Sequence, residues 1–244
     1  MQERSNEMKN RFFLSLYMII MGAGLAFTNY CLNTPYTSEE FGRKFMPVTA
    51  TLAAIVLIYG SRHRKDLEII TDNRKGHLWF LILFVPVAGL AIYSAVRSFD
   101  GTGAFFLVIL DSLLVGIGEE GMFRGILLGG LLRKKRPVVA VLISAILFSC
   151  LHFLNLLGGV GASDVMDQML STFILGMFLG CTYLYTKNIV FPVLFHFAWD
   201  YIMLSGGLTG SPLMVIAIVG VGVMEALIAA ILLFGFRKMP EPQS

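Results

Sequence analysis

The chain has 244 residues, 56% of them apolar and only 14% charged, with a mean hydropathy of +0.75. This excludes a water-soluble helical domain, whose helices would show a polar stripe; here the apolar residues come in runs long enough to cross a hydrocarbon core of about 30 Å. The net charge of +3 comes from basic clusters in loops rather than from one surface, so no nucleic-acid interface is indicated, and Cys31, Cys150 and Cys181 lack the CxxC spacing of a disulfide framework or a Cys-rich zinc site.

Eight spans follow in order, at roughly 12–32, 46–60, 78–96, 104–132, 138–157, 166–186, 189–205 and 212–235. The first is longer than a signal-peptide core and is not followed by an A-x-A-like cleavage site, so it reads as an uncleaved span. With the N-terminus inside, the inner segments hold Arg4, Lys9, Arg11, Arg62, Arg64, Lys65, Arg74, Lys75, Arg133, Lys134, Lys135, Arg136, Lys187, Arg237 and Lys238, against Arg43, Lys44 and Arg97 outside. Fifteen against three places both termini in the cytoplasm. The expectation is an all-α fold: a polytopic membrane helix bundle of about eight transmembrane helices around a buried polar site. Residues 1–244 form one integral-membrane domain with a motif-bearing core at about 104–205. The short loops point to a prokaryotic plasma membrane, and the tail Met239–Ser244 is expected to fray.

The fourth span contains Gly118-Glu119-Glu120-Gly121-Met122-Phe123-Arg124 between two apolar runs. An ionised carboxylate there costs several kcal/mol unless it is paired or wet. Glu120 and Arg124, four apart, share a helix face and form a structural ion pair. Glu119 lies about 100° around the helix and is the freer carboxylate. Glycines 116, 118, 121 and 125 predict a bend or a close helix contact. His152 in the fifth span lies about 22 Å along its helix from Pro137, and Glu119 about 21 Å from Arg133, so the two reach a similar depth. His196 and Asp200 in the seventh span sit one turn apart on one face. His63 and His77 fall in an inner basic loop and are expected to be solvated; Phe148, which packs beside His152, and Asn155, on nearly the same face, are expected to line the cavity.

Two acids, two histidines and an aspartate at one depth describe a functional site, and a hydrolytic hypothesis divides its roles as follows. Glu119 is the general base, His152 helps hold the water, and His196, oriented by Asp200, donates to the oxyanion, with Glu120 held ionised by Arg124. Glu119, His152 and His196 also form a His₂Glu set of the kind that binds zinc, with Asp200 behind His196. The cofactor therefore stays open between none and a divalent metal such as zinc. A proton- or cation-coupled transporter, and a non-catalytic immunity or scaffold protein, are the readings from other classes. Two further acids stay loose: Asp111 in the outer half of the fourth span, and Glu225 in the last, a possible second counter-ion for Arg124.

Glu119-Glu120-x-x-x-Arg124, Phe148-x-x-x-His152 and His196-x-x-x-Asp200, in this order, resemble the three-motif signature of the CAAX-protease and bacteriocin-processing (CPBP, or Abi) family of intramembrane proteases. The resemblance implies a glutamate-dependent endopeptidase acting on a membrane-associated or lipidated peptide or protein within the bilayer, with Glu119, Glu120, His152, His196 and Asp200 as its catalytic set. It also implies a lining role for Asn155. One position departs: type II CAAX prenyl endopeptidases usually have Asn where this chain has Asp200, and an aspartate donates to an oxyanion only when protonated.

Overall fold

The computed structural model describes residues 2–63 and 77–237. Arg64, Lys65, Arg74, Lys75 and Lys238, and the tail Met239–Ser244, lie outside the described residues. The described chain is all-helical. Helix α1 (Gln2–Ala26) runs into a π-helical turn (Phe27–Cys31), followed by α2 (Phe41–Arg62), α3 (Leu78–Ser98) and α4 (Gly103–Glu120). The α4 rod continues through a π-helical segment (Gly121–Leu128) and a last turn (Gly129–Leu131). Then come α5 (Pro137–His152) with a 3₁₀ extension (Phe153–Gly158), α6 (Ala162–Thr186), α7 (Val190–Leu204) and α8 (Pro212–Phe236).

Local chemistry explains several of these boundaries. Pro137 and Pro212 open α5 and α8 at a position where the missing N–H costs nothing, and the Ser211 hydroxyl caps α8 by accepting from the Met214 amide at 3.3 Å. Gly159, at φ +85°, ends the 3₁₀ turn in a left-handed conformation open to glycine.

Six helical segments are long and apolar enough to cross a membrane: Met8–Cys31, Phe41–Arg62, Leu78–Ser98, Pro137–Gly158, Ala162–Thr186 and Pro212–Phe236. Helix α7 is apolar but shorter. The α4 rod is set apart by Asp111, Glu119, Glu120 and Arg124, all turned into the protein. Large apolar side chains such as Leu81, Val85, Ile92, Val215, Val219 and Leu227 face outward, as a lipid-facing surface requires. The chain is a multi-pass integral membrane protein.

The α4 rod is packed between α2 and α7, and its π-helical segment also meets α5. Glycine makes this possible. A Cβ at Gly116 would stand 3.2 Å from the Val193 carbonyl oxygen and 3.3 Å from the Phe197 amide nitrogen of α7. At Gly118 it would stand 3.2 Å from the Tyr17 hydroxyl and 3.5 Å from the Ala53 amide nitrogen, and at Gly121 it would meet the Val56 side chain. The expected disturbance of the helix is thus a close contact on three sides followed by π-helical winding, a feature common at functional sites. Ser144 ties α5 to this winding by donating to the Phe123 carbonyl at 2.9 Å.

The two loop histidines are not simply solvated. His63 Nδ1 lies 3.0 Å from the Tyr59 carbonyl and its ring stacks on Tyr59 at 4.2 Å. His77 packs against Phe191 at 4.9 Å, with Nδ1 buried. Each ring finds an aromatic neighbour on a helix end, which loop position alone does not reveal.

Gly116→Val is expected to push α4 from α7 and cost about 1–3 kcal/mol of stability. Gly89→Val, where a Cβ meets nothing within 4 Å, should change it by about 0.5 kcal/mol or less. Thermal unfolding in detergent compares them; equal losses would contradict this packing.

Candidate active site

The site forms where the end of α4, the end of α5 and the middle of α7 meet. Glu120 and Arg124 lie one turn apart, so the pair is local, but both are fully buried and must be satisfied within the protein. Arg124 Nη1 donates to Glu120 Oε1 at 2.7 Å and Nη2 to the Gly176 carbonyl of α6 at 3.2 Å. The guanidinium also lies 4.3 Å over the Phe148 ring, a cation–π contact in a desolvated setting. Gly176 is needed for this approach, since a Cβ there would come within 3.2 Å of Ala145 and Phe148.

His196 Nδ1 meets the same Glu120 Oε1, also at 2.7 Å. One carboxylate oxygen therefore joins a guanidinium and an imidazole from separate helices. The other ring nitrogen, Nε2, lies 3.4 Å from Asp200 Oδ2 and 3.6 Å from Glu119 Oε2. The expected approach of His196 and Asp200 is present, but the shorter, orienting contact comes from Glu120. The reason is tertiary: Gly116 lets α4 close on α7.

Phe148 is fully buried and carries both imidazoles on its edge, His152 at 5.3 Å and His196 at 5.9 Å between ring centres. Within this cluster, Glu119 Oε2, Glu120 Oε2, Arg124 Nε and His152 Nε2 are buried with no hydrogen-bond partner. A buried polar atom left in this state marks a place for a water or a substrate group. A cavity of about 10 Å³, the room of one water molecule, adjoins Glu119 and is lined by Tyr17, Met21, Thr49, Leu52, Leu114 and Val115.

Phe148 and Asn155 do not line that cavity. Asn155 is buried and donates from Nδ2 to Gln168 Oε1 of α6 at 2.8 Å. Asp111 accepts from the Thr49 hydroxyl at 3.0 Å. Glu225 is buried on α8 with Oε1 unpartnered, and among the described residues no hydrogen bond or ion pair joins it to Arg124. Tyr17 and Thr49, the polar side chains facing Glu119 across the cavity, were not singled out by any motif. Nor was Tyr36, whose hydroxyl bonds Gln168; burial and the nearby Asp200 and Glu119 charges push that hydroxyl up to about 12.

Residues 101–202 match the type II CAAX prenyl endopeptidase Rce1-like family. Over this segment the chain is similar to that CAAX-protease family. The match spans the helices that carry all three motifs, and it supports an intramembrane CAAX-type endopeptidase. No curated protein matches the chain significantly. The zinc alternative requires a gathered donor set, and among the described residues no three His, Cys, Asp or Glu side chains are grouped to hold a metal ion. His196 Nδ1 bonds Glu120, which leaves Nε2 as the nitrogen that faces Glu119 and Asp200.

Arg124→Met leaves the Glu120 charge buried without its cation and is expected to cost about 3–5 kcal/mol. Adding Glu120→Gln in the same chain should restore part of that loss. Thermal unfolding of the single and double variants checks this; equal instability in both would show that the pair is not what Arg124 serves.

Proposed function

We propose that this CAAX-protease-like chain is an intramembrane endopeptidase that hydrolyses a peptide bond of a membrane-associated or lipidated peptide or protein, with water activated by Glu119. The observation that carries this reading is the Glu119 carboxylate itself. It is buried, one oxygen lacks a protein partner, and it borders a cavity of one-water size 3.6 Å from an imidazole nitrogen.

Glu119 takes a proton from the water as its oxygen attacks the scissile carbonyl carbon. The carbonyl oxygen becomes an oxyanion and accepts a hydrogen bond from His196 Nε2–H when the ring carries both protons, Nδ1–H being donated to Glu120. Collapse breaks the C–N bond, and the proton held by Glu119 passes to the leaving nitrogen. The products are a carboxylic acid and an amine, and Glu119 is restored. His152 Nε2, buried and without a protein partner, is assigned to holding the attacking water, although the ring does not border the resting cavity. Asp200, on the outer edge of the cluster with its side chain 22% exposed, faces His196 Nε2 at 3.4 Å before substrate enters and need not donate to the oxyanion.

This division assigns adjacent glutamates opposite duties: Glu120 Oε1 carries the two scaffold contacts, while Glu119 borders the cavity and accepts the proton. A transporter reading draws no comparable support, because towards the Arg133 end the cluster is backed by fully buried Phe123, Ile126, Leu128, Phe178 and Phe195.

Glu119→Gln should lower kcat by about 10²–10⁴-fold with the melting temperature unchanged, and Asp200→Asn should retain far more activity. Cleavage of a membrane peptide by the purified variants in detergent measures this. Full activity in Glu119→Gln would sink the assignment.

A further inference from the structure

The bundle has two chemically different ends. At one, which holds Cys31, the loop 32–40 meets the 3₁₀ turn through the Tyr36 amide and the Gly158 carbonyl at 2.8 Å, and Asn29 reaches the Leu157 carbonyl at 3.2 Å. Ser94 and Ser205 join α3 to the end of α7 there at 2.7 Å. At the other, which holds Arg133, the Tyr59 hydroxyl donates to Asn10 at 2.7 Å and His77 packs on Phe191. The described Arg133 end carries Lys9, Arg11, Arg62, Arg133, Lys134, Lys135, Arg136, Lys187 and Arg237, whereas the Cys31 end carries Arg43, Lys44 and Arg97. Of these three, Arg43 and Lys44 are paired with Glu40 at 3.5 and 2.9 Å. By the bias of Lys and Arg towards cytoplasmic loops, the Arg133 end faces the cytoplasm.

The site leans towards the opposite end. From Glu119, the cavity passes Leu114 and Val115 of α4, Thr49 of α2 and Met21 of α1, each nearer the Cys31 end of its helix than the site. Side-chain exposure rises in the same direction, from 0% at Glu120 and Arg124 to 4% at His196 and 22% at Asp200, one turn closer to the α7–α8 loop. Tyr36, from the loop joining α1 and α2, is close enough to feel the Asp200 and Glu119 charges, and its hydroxyl bonds Gln168, which also accepts from Asn155. Towards the Arg133 end the cluster is closed by fully buried apolar side chains.

We infer that the site is entered from the Cys31 end, on the extracytoplasmic face, and that its substrates are exported or outward-facing membrane peptides rather than cytoplasmic tails. Tyr36, Gln168 and Asn155 then flank the mouth, where the peptide backbone passes from the outer leaflet to Glu119. The substrate side of this inference rests on the hydrolase reading, but the direction of access does not.

Intact cells carrying the full chain are treated with a membrane-impermeant maleimide. Native Cys31 is exposed, Cys150 half-buried and Cys181 buried, so a Cys150→Ser chain reports on Cys31. Cys31 should label in intact cells. Asp200→Cys, in a chain lacking the native cysteines, should label there too and report access to the site without any activity. Lys134→Cys in the same background should label only after permeabilisation. Labelling of Lys134→Cys but not Cys31 in intact cells overturns the orientation; Asp200→Cys labelled only from the permeabilised side, or from neither, overturns the outer mouth. Tyr36→Cys repeats the access test should Asp200→Cys fail to fold. In sealed vesicles, an impermeant peptide should be cut at least tenfold faster right-side-out than inside-out, and the reverse overturns the substrate class. No cleavage in detergent or in vesicles of either orientation would overturn the substrate class with the hydrolase reading and leave the labelling result standing.

Discussion

One oxygen atom holds this site together. Glu120 Oε1 receives Arg124 Nη1 and His196 Nδ1, both at 2.7 Å, in surroundings from which solvent is absent. Taking a carboxylate and a guanidinium out of water is costly, and the cost is offset only if the geometry is good and the remaining polar atoms are satisfied. Here the guanidinium is also bonded to a carbonyl of α6 and covered by Phe148 of α5, so four helices converge on one charge pair. The close approach of α4 and α7 at Gly116 and the π-helical winding after Glu120 are what bring these groups within bonding distance.

That arrangement explains why two neighbouring glutamates are needed. Glu120 spends one oxygen on both Arg124 and His196, and the carboxylate does not border the cavity beside Glu119. Placed about 100° away on the same helix, Glu119 shares the depth and the dry surroundings but not the partners, and its unpartnered oxygen faces both the imidazole and the cavity. The scaffold and the reactive group are thus separated by one residue of helix rotation.

Much of this was legible in the sequence, for identifiable reasons. Hydropathy and basic-residue placement define a multi-pass helical bundle because a bilayer leaves few alternatives. Span ends shifted by several residues where helices extend beyond the apolar run, as α2 does from 46–60 to Phe41–Arg62. The Glu120–Arg124 pair follows from helical spacing. The partner of His196 does not: same-helix spacing points to Asp200, and it takes the packing of α4 on α7 to add Glu120. Tyr17 and Thr49 were invisible because a hydroxyl in a largely apolar run, like that of neighbouring Ser15 or Thr51, carries no periodic or motif signal. Tyr36 and Gln168 were hidden for a similar reason, since a loop and a helix far apart in the chain meet only in the folded bundle.

The most direct test of the account is hydrolysis in ¹⁸O-enriched water by the pure protein in lipid nanodiscs, read by mass spectrometry of a membrane-inserted peptide. The account predicts two fragments from the wild-type chain, the new carboxyl group carrying the label, and an intact peptide from Glu119→Gln. An uncut peptide with the wild-type chain, or labelled fragments undiminished in Glu119→Gln, would contradict it.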